Sequence, residues 1–307
     1  MASLSLRRLL LPSYAQLFFV PTPWIGALTL VCMLWVPWVL AGSLFAWASC
    51  SWVSQNWLKG HPLLEVGLLG YNPILAGGWL GMVVQPGLGL FGAAALSGIL
   101  CGLLQWLWLQ RAPKGLSFLS WPFVVSASTL TLAARQFPTL IHVITFPPYP
   151  ISLQAGLADS SVMNVSFWCK HFLVSLGSVP FLPMWWFGLI LVLALMVSHR
   201  HLLKCTLVAW LAGSSVQILL SQDAFFLLNV PVGFNFMLMG MAWHTFFPPL
   251  ERSWPLLAIA SAFCGVLLIP TQQLANMLGL STFSLPFSTT MLICLLLLRR
   301  NRKHQTA

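Results

Sequence analysis

Gly115-Leu116-Ser117-Phe118-Leu119-Ser120-Trp121-Pro122-Phe123 returns later in the chain as Gly279-Leu280-Ser281-Thr282-Phe283-Ser284-Leu285-Pro286-Phe287. Six of the nine positions are identical and the two blocks lie 164 residues apart. Working outward, Gly70-Tyr71-Asn72 before Leu75 is matched by Gly233-Phe234-Asn235 before Leu238, at an offset of 163. Near the start, Phe19, Pro21, Trp24 and Gly26 are matched by Phe181, Pro183, Trp186 and Gly188 at an offset of 162, which pairs Gln16 with Ser178. Three blocks in one order at almost constant spacing mark an internal duplication. Its boundaries read as a first repeat over 1–150, a linker over 151–168 and a second repeat over 169–307.

The composition says where such a duplicated chain resides. Of the 307 residues, 59% are hydrophobic and only 6% are charged. A water-facing surface needs about 25% charged residues. The reading is therefore an all-α polytopic integral membrane protein, and a soluble enzyme is excluded. The net charge of +10 comes from short basic clusters beside apolar runs, such as Arg7 with Arg8, Arg111 with Lys114, Arg200 with Lys204, and Arg299 to Lys303. These are juxtamembrane cations. No basic stripe with interleaved aromatics is present, so nucleic acid is not a partner. The seven cysteines show no CxxC spacing and read as small buried residues.

Apolar runs of spanning length fall near 24–48, 63–82, 86–109, 122–144, 183–198, 202–221, 233–248, 253–270 and 285–298. The stretch 145–168 is the least membrane-like, with Pro147, Pro148, Pro150 and Asp159. Basic residues at both ends predict cytoplasmic termini. Each half then crosses an odd number of times, and the two repeats are inverted. Transporters of this kind hold their solute near the midplane at the repeat interface. The chain has only four acids, Glu65, Asp159, Asp223 and Glu251. Coupled pumps depend on intramembrane carboxylates, so passive movement of a neutral solute fits better.

Each long block has the form Gly-Leu-Ser-x-x-Ser-x-Pro-Phe. Proline donates no backbone N–H and restricts the residue before it. Two readings are open for it. One is a proline kink whose serine bonds back to its own helix. The other is a re-entrant half-helix ending at the block, whose free carbonyls line up with the hydroxyls of Ser120 and Ser284 as acceptors at membrane depth. Tyr71 with Leu75, and Phe234 with Leu238, share a helix face at i and i+4, which ordinary packing also explains. Asn72 and Asn235 are polar groups in apolar surroundings and are expected to satisfy backbone groups at a helix break. No histidine or cysteine pattern suits a metal, and no nucleophile elbow or phosphate loop is present, so no metal, cofactor or catalytic residue is expected.

The paired long blocks and the paired Gly-aromatic-Asn blocks resemble the urea transporter family, which carries a twice-repeated Leu-Pro-x-x-Thr-x-Pro-Phe signature. The resemblance covers about residues 14–298. Ser117 and Ser281 stand where that signature has its first proline, and Ser120 and Ser284 where it has threonine, so the hydroxyl is kept. The resemblance implies ten transmembrane helices plus two re-entrant half-helices, in two inverted repeats, assembled as a homotrimer with a pore in each protomer. It implies that Ser120 and Ser284 line the middle of the pore, and that Phe19, Tyr71, Leu75, Phe181, Phe234 and Leu238 form its apolar walls. Gln16 would stand at one mouth and Ser178, shorter than the family's usual residue, at the other. The location implied is the cell (inner) membrane.

Urea is flat, uncharged and rich in N–H donors. Dehydrating it without replacement hydrogen bonds costs several kcal/mol. Acceptors at its edges with aromatic walls at its faces answer that need and leave ions uncompensated. The expectation is a passive, bidirectional, pH-insensitive urea channel. The alternatives are a channel for another small neutral solute, such as a short amide or ammonia, and a non-transporting membrane scaffold.

Overall fold

The computed structural model describes residues 6–59, 61–113, 116–138, 141, 165–221, 233–248 and 253–305. Gly115, Lys114, the prolines at 147, 148 and 150, most of the linker read at 151–168, and the acids Asp159, Asp223 and Glu251 lie outside them. Among the described residues there are thirteen α-helices and no strand.

Two compact units divide the chain. Unit 1 comprises Met1–Lys114, Ser120–Pro150 and Pro180–Leu182; unit 2 comprises Gly115–Leu119, Ile151–Val179 and Pro183–Ala307. Unit 1 is built from α1 (Leu6–Ala15), a 3-10 turn (Gln16–Phe18), α2 (Pro23–Met33), α3 (Pro37–Trp57), α4 (Pro62–Glu65), α5 (Tyr71–Val83), α6 (Leu88–Arg111) and α7 (Trp121–Gln136). Unit 2 is built from α8 (Val165–Gly177), α9 (Trp185–Ser198), α10 (Arg200–Ser221), α11 (Gly233–Phe246), α12 (Trp254–Met277) and α13 (Leu285–Gln305). In unit 1, α3 packs on α5 and α6, α1 on α2, and α7 on α5 and α6. In unit 2, α10 packs on α11 and α12, α8 on α9, and α13 on α11 and α12. The same scheme of neighbours thus occurs twice.

Proline explains several of the boundaries. Pro23, Pro37, Pro62, Pro122 and Pro255 stand in the first turns of α2, α3, α4, α7 and α12, where the missing N–H has no intrahelical partner to lose. The apolar run 24–48 is therefore two helices, because Pro37 starts a new one after the turn at 34–36. The run 63–82 likewise breaks between α4 and α5. Val165–Trp168, placed in the linker by composition, is the first turn of α8.

By length and apolarity, Leu88–Arg111, Arg200–Leu220 and Trp254–Met277 each suffice to cross a membrane, and the first helical stretch joins α2 with a bend of 86°. The outer faces are strongly apolar: Leu88 is 90% and Val197 86% exposed. In water such faces aggregate; in lipid they are at home.

Where apolar lipid surrounds a bundle, helices are held mainly by close packing. A side chain on Gly77 would strike the Gly42 carbonyl on α3, and one on Gly240 would strike the Thr206 and Cys205 backbone on α10. Gly98 and Gly102, a small-residue pair suited to helix contact, are occupied inside unit 1, where they meet Ala46 and Val53 of α3.

Candidate functional site

The long blocks resolve into one local design, used once in each half. Ser120 is the N-cap of α7, and its carbonyl accepts the Val124 N–H; the Ser284 carbonyl accepts the Ser288 N–H ahead of α13. The blocks are therefore helix beginnings. The expectation of a half-helix ending there, with its own free carbonyls, is corrected: residues 116–118 are non-helical and α7 starts after Ser120. The helix N-terminus, with its partial positive charge, is what each serine introduces.

A helix start leaves donors unpaired, and two devices deal with them here. Pro122 and Pro286, second in their helices, remove one donor each. The Asn72 side-chain carbonyl accepts the Phe123 N–H at 3.2 Å, and that of Asn235 accepts the Phe287 N–H at 3.3 Å. The Asn235 amide also donates to the Phe283 carbonyl at 3.1 Å. The two asparagines cap these helices from α5 and α11, in the role expected of them at a helix break. A serine at the N-cap ordinarily spends its oxygen on that task. Ser120 makes no such cap bond, because Asn72 has taken it over.

The two serines then differ. Ser120 is 1% exposed and has the Tyr71 side chain beside it. Ser284 is equally buried and its hydroxyl has no partner. The residue answering to Tyr71 is Phe234, which has no hydroxyl to offer.

The backbone is bent at four non-glycine positions with positive φ: Phe19 at 55°, Leu119 at 47°, Phe181 at 62° and Phe283 at 50°. They form two pairs at the repeat offsets, and Leu119 and Phe283 immediately precede the two serines. Such conformations cost about 1–3 kcal/mol and persist where surroundings enforce them. The Ser117 hydroxyl accepts the Leu119 N–H at 3.3 Å, so the residue replacing the signature proline still holds this turn. Leu119 and Phe283 escaped the sequence reading because they occupy the variable positions of the block. The signal was their shared place before an identical serine.

In unit 1 the Phe19 and Tyr71 rings lie 6.1 Å apart, and Leu75 is buried one turn along α5. Phe181 also belongs to unit 1, with its ring 6.2 Å from Trp79 and 6.1 Å from Phe123, against the bare Cα of Gly78. Trp79 and Gly78 were missed; unit 2 has Ala242 and Met241 at those offsets, so no repeated pattern flagged them. In unit 2, Leu238 is buried and Phe234 half-buried at the start of α11. Gln16 is buried in the 3-10 turn and donates to the Val66 carbonyl at 3.1 Å, whereas the Ser178 hydroxyl bonds back to Val174 at 2.7 Å. No Asp, Glu, Lys, Arg or His stands among these ten residues, and no group of three metal-ligating side chains occurs among the described residues.

A family model described as urea transporter matches residues 8–299, nearly the whole chain. No curated protein matches it.

Proposed function

The chain belongs to the urea transporter family, and from that premise we propose how its residues move the solute. Urea crosses a membrane passively through this protein, and the chain is a channel-type transporter. In our reading Ser120 and Ser284 are the hydroxyls that replace water at the edges of urea in the middle of the pathway. The observation that carries this is the unpartnered hydroxyl of the buried Ser284, freed by the asparagine cap. Urea has both a carbonyl to accept its proton and N–H groups to donate to its oxygen.

Phe19, Tyr71, Leu75, Phe181, Phe234 and Leu238 give the apolar walls that pass a flat neutral molecule. An ion gains no countercharge from such walls and keeps its full dehydration cost. Gln16 and Ser178 mark the mouths. The Gln16 amide extends further than the Ser178 hydroxyl, which is bonded to its own helix, so solute is held more weakly at the Ser178 end.

The same reading takes the duplication as inverted repeats, 1–150 and 169–307 about a linker at 151–168, with ten crossings and two re-entrant half-helices. The protein works as a homotrimer in the cell (inner) membrane, with both termini cytoplasmic. Purified protein in liposomes under an inward urea gradient tests the function. Flux well above protein-free vesicles at neutral pH is expected; equal flux overturns it. Ser120→Val with Ser284→Val is expected to slow flux strongly while the trimer persists in cross-linking.

A further inference from the structure

The face of α10 carrying Trp210, Ser214 and Gln217 holds a second group of buried polar atoms, none of them among the residues assigned to urea passage. These positions are i, i+4 and i+7, one stripe of the helix. Ser214 and Gln217 are 0% exposed, and neither the Ser214 hydroxyl nor either end of the Gln217 amide has a hydrogen-bond partner. The Trp210 indole N–H and the buried Ser175 hydroxyl on α8 are also unpaired. The last two meet at one spot: a side chain on Gly233 would strike the Ser175 hydroxyl and come within 3.2 Å of the Trp210 nitrogen. His171, one turn before Ser175, closes the wall with its ring stacked on Phe167 and 5.6 Å from Trp210.

Unit 1 shows what these positions enclose. At offsets of 162 or 163, His171, Ser175, Ser214, Gln217 and Gly233 answer to Leu9, Ser13, Ser51, Ser54 and Gly70. Those five residues line one small cavity. There the tryptophan and the first serine are satisfied: the Trp47 indole donates to the Ser13 hydroxyl at 3.1 Å, and Ser13 donates to the Leu9 carbonyl at 2.7 Å. In unit 2 the longer Gln217 replaces Ser54, and the tryptophan–serine bond is not made.

Each buried polar group left without a partner costs about 1–3 kcal/mol. Five such atoms are too many to remain dry when one guest can answer them. We propose that this chamber of unit 2 binds a small neutral molecule that both donates and accepts hydrogen bonds, namely water or urea. The chemistry of the lining selects that class. Trp210 and the Gln217 amide nitrogen are donors and repel a cation. The Gln217 carbonyl accepts only, and no countercharge stands on this stripe for an anion. The two serine hydroxyls serve in either sense. A urea guest would turn its carbonyl toward the indole and its N–H groups toward the Gln217 carbonyl and the serines. Water fits as an ordered molecule with three or so bonds, as buried waters usually have.

High-resolution structure determination of the full-length protein, with and without selenourea, tests this independently of flux. An anomalous selenium peak within hydrogen-bond reach of Gln217 and Trp210 identifies a urea-class guest. Ordered density without selenium there identifies water. An empty chamber in both data sets overturns the proposal. Gln217→Leu provides a second measurement. A guest-filled chamber loses two hydrogen-bonding groups in that variant, and the melting temperature falls by about 2–4 °C; a rise, as expected when a dry unpaired amide is removed, overturns the proposal.

Discussion

Tyr71 beside Ser120 and Phe234 ahead of Ser284 are the same place in the two halves, one hydroxyl apart. In unit 1 the tyrosine stands beside the serine with a hydroxyl to offer. In unit 2 the serine is left open. The lesson recurs at Trp47 with Ser13 and at Trp210 with Ser175, where the first pair is bonded and the second is not. In both cases duplication has kept the scaffold of helix packing, turns and asparagine caps. The hydrogen bonding laid over it has drifted, and at these two places the unsatisfied group lies in unit 2. In the proposed pathway two unequal hydroxyls would give the solute a preferred resting place.

The comparison can be broken most severely at the shared scaffold. Asn235→Leu strands the Phe287 N–H and the Phe283 carbonyl together. At about 1–3 kcal/mol for each stranded group, thermal unfolding of the purified variant should show the largest loss of stability, and Asn72→Leu a comparable one. An unshifted melting curve for both would mean the asparagines cap nothing. Next comes the difference between the serines. Ser284→Val should reduce urea flux in liposomes by about tenfold, the equivalent of one hydrogen bond of about 1.4 kcal/mol. Ser120→Val should reduce it by only a few-fold, since the neighbouring Tyr71 hydroxyl can compete for that serine. Equal losses would show that the two sites work alike.

A smaller effect should follow from exchanging the aromatic residues. Tyr71→Phe releases Ser120 and should bring Ser120→Val, tested in that background, closer to Ser284→Val. Phe234→Tyr should blunt the response to Ser284→Val; additivity of these pairs in flux would remove the coupling argued here. The smallest expected change is with pH. The ten residues assigned to the pathway include no carboxylate, histidine or amine, and tyrosine ordinarily titrates near pH ~10. Urea flux measured between mildly acidic and mildly alkaline pH should stay level, and a sigmoidal dependence in that range would point to a titrating group in the pathway.

Much of this was legible from the chain. The asparagines could be read as backbone partners because amides in apolar surroundings need bonds, and the two blocks as one repeated device because the serine and the Pro-Phe recur at the same spacing in both halves. The direction of the block was misread. A proline stands equally well near a helix end or at its second position, and only the coordinates show α7 and α13 starting there. Phe181 was grouped by its number with the second half, yet its ring packs on Trp79 and Phe123 of unit 1, because Pro180–Leu182 belongs to that unit. Linear order carries no information about such an exchange.

The chain's poverty in charge and its repeated blocks are enough to dictate a helical membrane protein and its family, and to pick out Ser120 and Ser284 as paired hydroxyls. These are properties of composition and pattern, which need no coordinates. Which of those hydroxyls is free belongs to the folded molecule alone. Whether a hydroxyl stands beside Ser120 or Ser284 depends on side chains 49 and 50 residues apart in sequence being brought together, and that meeting is set by how α5 packs on α7 and α11 on α13.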